Sequence, residues 1–210
     1  MDLIFPKLNG KLYDRDDMLN PYALRSYRSI LRKSNNIEGH FLIVNEMIRK
    51  IDVSLPEIQN DDENKLICSL QDFCENIYAC MDYLSQVLRE LYRQRYRGSE
   101  LPDGFNSILK DIEKNDERPK EKKKSIYNDR VLKGFIKKAQ PWYDIVHRIR
   151  TEETHYGMGN IKVEEGRMIY YNLDRWNNGD NIKFEITLIN DVFVQFCNYI
   201  NELDGLIMGV

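Results

Sequence analysis

The stretch Glu63 to Tyr96 reads ENKLICSLQDFCENIYACMDYLSQVLRELYRQRY. Leu66, Leu70, Phe73, Ile77, Met81, Leu84, Leu88 and Leu91 recur through it at three- and four-residue intervals. Side chains spaced this way lie on one side of an α-helix, so the stretch predicts a single long helix with a continuous buried stripe. At about 1.5 Å per residue it spans roughly 50 Å, a length suited to a helical bundle. Gly98 ends it, and Pro102-Asp103-Gly104 turns the chain.

Upstream, residues 1–19 read as irregular, with a short extended piece over Leu3–Phe5. Asn20-Pro21 is a helix start, a capping acceptor followed by proline at the first helical position. Leu24, Tyr27, Ile30 and Leu31 follow at helical spacing. Ser34-Asn35-Asn36 and Gly39 weaken the pattern before Ile37, Phe41, Leu42, Val44, Ile48 and Ile51 resume it as far as Pro56. One bent helix and two separate helices both satisfy this pattern.

Downstream, Phe105 to Ile112 predicts a short helix, and Glu113 to Ser125 (EKNDERPKEKKKS) a solvated, charge-rich connection. Val131, Leu132, Phe135 and Ile136 mark a further helix that Pro141 is expected to break. Beyond Gly159 the period becomes two. Ile161 and Val163, then Met168 and Tyr170, flank a Glu165-Gly166 turn, and Ile182 to Leu188 alternates as a third strand. Asn190 or Asp191 would cap a final helix packed through Val192, Phe193, Phe196, Ile200 and Leu203. The expected fold is mainly α, a helical bundle with a small C-terminal antiparallel β-meander and a final helix. Residues 1–210 read as a single domain without internal repeats, with a bundle over 20–160 and the meander plus last helix over 161–210.

The composition is 42% hydrophobic and 31% charged, that of a globular chain, with a formal net charge of −3. A nucleic-acid partner would have to be met by a local basic patch. No apolar run is long enough for a transmembrane helix, and residues 1–17 lack the basic-then-apolar order of a signal peptide, so no membrane association is expected. Cys68, Cys74, Cys80 and Cys197 have no CxxC spacing. They read as reduced thiols of a cytoplasmic protein, and no metal or other cofactor is expected. P-loop, Rossmann, HExxH and GxSxG signatures are absent.

The candidate site lies in Pro141 to Gly159, PWYDIVHRIRTEETHYGMG. Pro141 fits the first turn of a helix, and Trp142, Ile145, Val146, Ile149 and Tyr156 form its apolar stripe. His147, Arg150, Thr151, Thr154 and His155 gather on the other side, and Gly157 and Gly159 supply the stop. Arg150 and His155 form an R-x4-H sequence near the end of a late helix.

In this motif, its place in the bundle and the two long helices before it, residues 20–160 resemble the HEPN superfamily. The resemblance implies metal-independent cleavage of RNA in a cleft lined by the motif of each subunit of a homodimer. It also implies a setting in toxin–antitoxin or antiphage defence, with a protein inhibitor or antitoxin as a further partner. His155 would act as general acid/base, since an imidazole is poised near neutral pH to accept a 2′-hydroxyl proton. Arg150 would hold the phosphate, because a guanidinium offers paired donors to its oxygens. His147, Thr151, Glu153 and Thr154 are supporting candidates.

Thr151, smaller but still able to hydrogen-bond, stands where many members of the family have asparagine or another polar residue. Glu152 and Glu153 place two carboxylates beside the motif, and Glu153 projects onto the apolar stripe, where it needs a partner on a neighbouring helix. Were that partner Arg150, the arginine would be structural. The other reading is therefore a non-catalytic binding or dimerisation module for a protein or nucleotide. Elsewhere, Arg89, Arg93, Arg95 and Arg97 read as a solvated helix face paired with acids such as Glu90 in preference to a phosphate-tracking stripe. The lysines at 120 and 122–124 read as loop residues and His40 as an ordinary histidine. Asp82, inside the long apolar helix, is expected to pair with a cation of the Pro141–Gly159 segment.

Overall fold

The computed structural model describes residues 6–54, 58–96, 100–157, 159–174 and 180–208, with the side chains at 94, 155, 156, 173, 174, 180 and 181 left outside the description. The readings placed on Leu3–Phe5, Pro56, Arg97 and Gly98 fall outside these residues. The element order is α1 (Pro21–Lys50), α2 (Asn60–Arg95), α3 (Phe105–Glu117), α4 (Arg130–Tyr156), β1 (Asn160–Glu164), β2 (Arg167–Asp174), β3 (Asp180–Glu185) and α5 (Ile189–Met208). This is a mainly helical chain with a small antiparallel meander before its last helix, as the periodicities predict.

Asn20 caps α1, its Oδ1 accepting the Ala23 N–H at 2.9 Å. The helix runs unbroken through Ser34-Asn35-Asn36 and Gly39, because Ile37, Phe41, Val44 and Met47 are fully buried and extend the same stripe. That burial outweighs the roughly 1 kcal/mol or less that each poor helix former costs. Leu42, counted with the apolar face from sequence, instead points outward. Along α2 every member of the leucine-rich stripe from Leu66 to Leu88 is buried.

Three boundaries differ from the sequence reading. α3 continues past Ile112 to Glu117, and two short 3-10 turns follow, Lys120–Lys122 and Ser125–Asn128. The supposed loop is tied down: buried Asn115 accepts the Lys124 N–H at 2.7 Å, and Ile126 and Tyr127 are buried. Pro141 does not start a helix. It lies inside α4, which begins at Arg130 behind Asp129, whose Oδ1 accepts the Val131 and Leu132 N–H groups. Proline removes one helical hydrogen bond, but Leu132, Ile136 and Ala139 before it and Trp142, Tyr143 and Val146 after it are all buried, so packing carries the helix across. Finally, β3 stops at Glu185, Ile186–Leu188 form a 3-10 turn, and α5 starts at Ile189 with Asn190 and Asp191 already in its first turn.

The residues group into two compact units, each discontinuous in sequence: 1–34, 79–141 and 195–210, and 35–78 with 142–194. In the first, Phe135 stacks on Tyr199 at 4.4 Å, Phe105 meets the edge of the same ring, and buried Tyr27 donates to Asp204 at 2.7 Å. In the second, Phe41 stacks on Phe193 at 4.3 Å beside Phe73, and the sheet adds Ile161, Tyr170, Ile182 and Phe184 to the core. The sheet order is β1-β2-β3, both pairings antiparallel. Glu164 faces Arg167 across a two-residue turn in which Glu165 and Gly166 both have positive φ (49° and 75°). That geometry matches the right-handed twist of the strands.

Candidate functional site

The site lies in the second unit, where the last turns of α4 pack against the first half of α2. Arg150 is held on two sides. Its Nε donates to Glu75 Oε2 at 2.8 Å, and its guanidinium lies 4.6 Å from the centre of the Tyr78 ring. Its Nη1 and Nη2 make no hydrogen bond among the described residues, and the side chain is 24% exposed. The outer donors of the guanidinium are thus not used by its hydrogen bond to Glu75. The His147 ring sits one turn earlier against Tyr78 and Tyr143, at 5.8 and 6.0 Å between centroids.

The face drawn from the helical wheel is therefore less open than expected. His147, Arg150 and Thr151 are only half-exposed, whereas Asp144, Arg148 and Thr154 face water. Tyr143, which the apolar stripe omitted, is fully buried. His155 occupies the penultimate position of α4, five residues after Arg150, and its side chain lies outside the described residues. Gly157, with φ of +114°, follows the helix end.

Glu152 and Glu153 are both buried, so their carboxylates turn inward from the surface that carries Arg150. Glu153 has its partner on a strand: Tyr170 donates its hydroxyl to Glu153 Oε1 at 2.8 Å. Asn172 in turn donates to the Tyr170 oxygen at 3.0 Å and to the Gly157 carbonyl at 3.2 Å. The expected partner on a neighbouring helix is thus replaced by β2, and the carboxylate that Arg150 binds is Glu75. Burial pushes the Glu153 carboxyl up to about 7; the Tyr170 hydroxyl opposes the shift, and Asp72 adds to it.

Glu75, Tyr78, Tyr170 and Asn172 were not read as site residues from the sequence. Glu75 and Tyr78 are three apart on α2, hence on one face beside the leucine stripe, but that spacing does not say which helix they meet. Asp82 Oδ1 accepts the Phe105 N–H at 3.0 Å, satisfying the start of α3. Arg89 binds Glu100 and Asp103, Arg93 lies within 4 Å of Glu90 and Glu100, and Arg95 is 3.7 Å from Asp129. This is the acid-paired helix face. The four cysteines are free thiols, with Cys68 exposed and the rest buried. Among the described residues no group of three or more His, Cys, Asp or Glu side chains could hold a metal ion, and no helix is long and apolar enough to cross a membrane.

Fold and site together define a mainly helical bundle protein that presents an anchored arginine near the end of its fourth helix. Comparison with protein-family models, with curated proteins and with solved structures finds no match for this chain.

Proposed function

We propose that this chain is a HEPN-like ribonuclease that cleaves RNA without a metal ion. The observation that supports the reading is the arrangement of Arg150. Glu75 and Tyr78 fix one edge and one face of the guanidinium, leaving the Nη1/Nη2 pair to hold two oxygens of a phosphate. In the proposed reaction His155 takes the proton of a ribose 2′-hydroxyl, whose oxygen attacks the adjacent phosphorus. The 5′-oxygen leaves as a hydroxyl, taking its proton from a protonated His155 imidazole of the cleft, and a 2′,3′-cyclic phosphate remains. Arg150 stabilises the charge that grows on the phosphate. We assign the protein to the cytoplasm and to a homodimer, with toxin–antitoxin or antiphage defence as the setting and an inhibitory protein as the partner.

One observation favours the second reading, a non-catalytic binding or dimerisation module. Glu75 lies 2.8 Å from Arg150 and offsets its charge, which would lower its attraction for phosphate. The two readings separate on a mixed pool of tRNA and single-stranded RNA incubated in EDTA with wild type, Arg150→Ala and His155→Ala, each checked for folding by circular dichroism. The ribonuclease reading expects cleavage by wild type and a loss of about 100-fold or more in each variant. No cleavage by the folded wild type, or equal cleavage by all three, leaves the binding module.

A further inference from the structure

In the first unit, the exposed side of α1 carries Arg25, Arg28, Ser29 and Arg32 along a cleft of about 680 Å³. A second cleft of about 350 Å³ shares Arg25 and Ser29 with it and adds Tyr22, a ring that is 75% exposed. Tyr22, Arg25, Ser29 and Arg32 follow one another at intervals of three, four and three residues, which sets them on one face of the helix.

The charge balance of this face differs from that of the arginines on α2. Arg28 is engaged, its Nε donating to the Tyr13 carbonyl at 2.9 Å and its guanidinium 3.6 Å from Asp14. Arg89, which lines the smaller cleft, is matched by Glu100 and Asp103, and Glu90 accepts a hydrogen bond from Asn20. Arg25 and Arg32 are exposed and have no ion pair or side-chain hydrogen bond among the described residues. Asp16 is the acid that lines the larger cleft. A chain of net charge −3 thus keeps two uncompensated guanidinium groups and a third, partly offset one in a single concave surface.

We propose that this cleft binds the backbone of single-stranded RNA, with the arginines on successive phosphates and Tyr22 stacked on a base. Arg25 and Arg32 are separated by seven residues, roughly 10 Å along the helix axis, too far for both to hold one phosphate. A linear run of cations therefore fits a linear run of phosphates better than a single anion. An exposed aromatic at the end of that run is a stacking platform for a base, whereas a run of carboxylates or a lipid headgroup presents no ring to stack on it. The cleft stands on its own charges and requires neither Arg150 nor cleavage.

The test is fluorescence anisotropy with a labelled 2′-O-methyl oligouridylate twelve nucleotides long, which has no free 2′-hydroxyl to attack and so separates binding from cleavage. Wild type is expected to bind at low salt, with log K falling against log salt at a slope of about −2 for three phosphate contacts. In the double variant Arg25→Gln/Arg32→Gln the affinity should fall about tenfold or more, with the slope near −0.7. Tyr22→Ala should weaken binding and leave the slope unchanged. These side chains are exposed, and circular dichroism confirms the fold of each variant. Undiminished binding by the folded double variant would overturn the proposal. So would binding to polyglutamate or to phosphatidylserine vesicles without binding to the oligonucleotide, or binding to none of the three. Either failure leaves the EDTA cleavage test of Arg150 and His155 standing.

Discussion

Desolvation is the larger force on Glu153, exceeding the stabilisation that the Tyr170 hydroxyl gives its charged form. The groups around it are Asp72 and Cys74 on α2 and Tyr170 on β2; burial and the Glu153 charge push the Cys74 thiol up as well. With a carboxyl raised from 4.5 to about 7, the native state keeps a proton that the unfolded chain releases. The contribution of Glu153 to stability is therefore complete below pH 4.5 and is lost as the pH rises through 7. At roughly 1.4 kcal/mol per pKa unit the loss is a few kcal/mol at most. Glu153→Gln, neutral throughout, should show a smaller fall in Tm between pH 5 and pH 8 than wild type, as read by thermal unfolding monitored by circular dichroism. Parallel curves for the two proteins would mean that Glu153 titrates as an ordinary surface carboxyl. The sequence showed that a carboxylate at this position needed a partner, because the helical period put it on the apolar stripe. That period could not name Tyr170, seventeen residues away and in a strand.

At the scale of elements, the passage from α4 into β1 depends on the lack of a side chain at Gly159. A Cβ there would come within 2.5 Å of the Tyr170 ring and of the Tyr171 carbonyl oxygen. Gly159→Ala should therefore cost about 1–3 kcal/mol and disturb the Tyr170–Glu153 hydrogen bond, measurable as a lower urea midpoint. An unchanged midpoint would show that the strand simply moves aside. The two glycines were legible as a helix stop, but the close approach of Tyr170 was not. Periodicity also located the long helices, because buried stripes repeat within one element. It failed at Pro141 and at Glu113–Ser125, where packing outside the local window overrode a local signal. Asp82 shows the same dependence on distant residues: a polar residue in an apolar helix, its Oδ1 accepts the N–H of Phe105, 23 residues later.

For the molecule as a whole, the proposed shared cleft makes a claim about mass. Sedimentation equilibrium should give twice the 25.1 kDa of the chain, and cleavage should fall on dilution below the dimer's dissociation constant. A monomer that cleaves RNA at full specific activity would remove the second subunit from the mechanism. The sequence was enough for the class of fold, for the meander and its Glu165-Gly166 turn, and for the R-x4-H spacing on one helix, since each depends on residues near one another in the chain. Only the tertiary structure paired Arg150 with Glu75 and Tyr78, buried Glu152, gave Glu153 its partner in Tyr170, and left Arg25 and Arg32 uncompensated beside a cleft. The two compact units likewise cut across α1, α2, α4 and α5. A helical or strand period fixes which face of an element is apolar, whereas the identity of what that face meets depends on contacts between residues dozens of positions apart, and no local pattern encodes those.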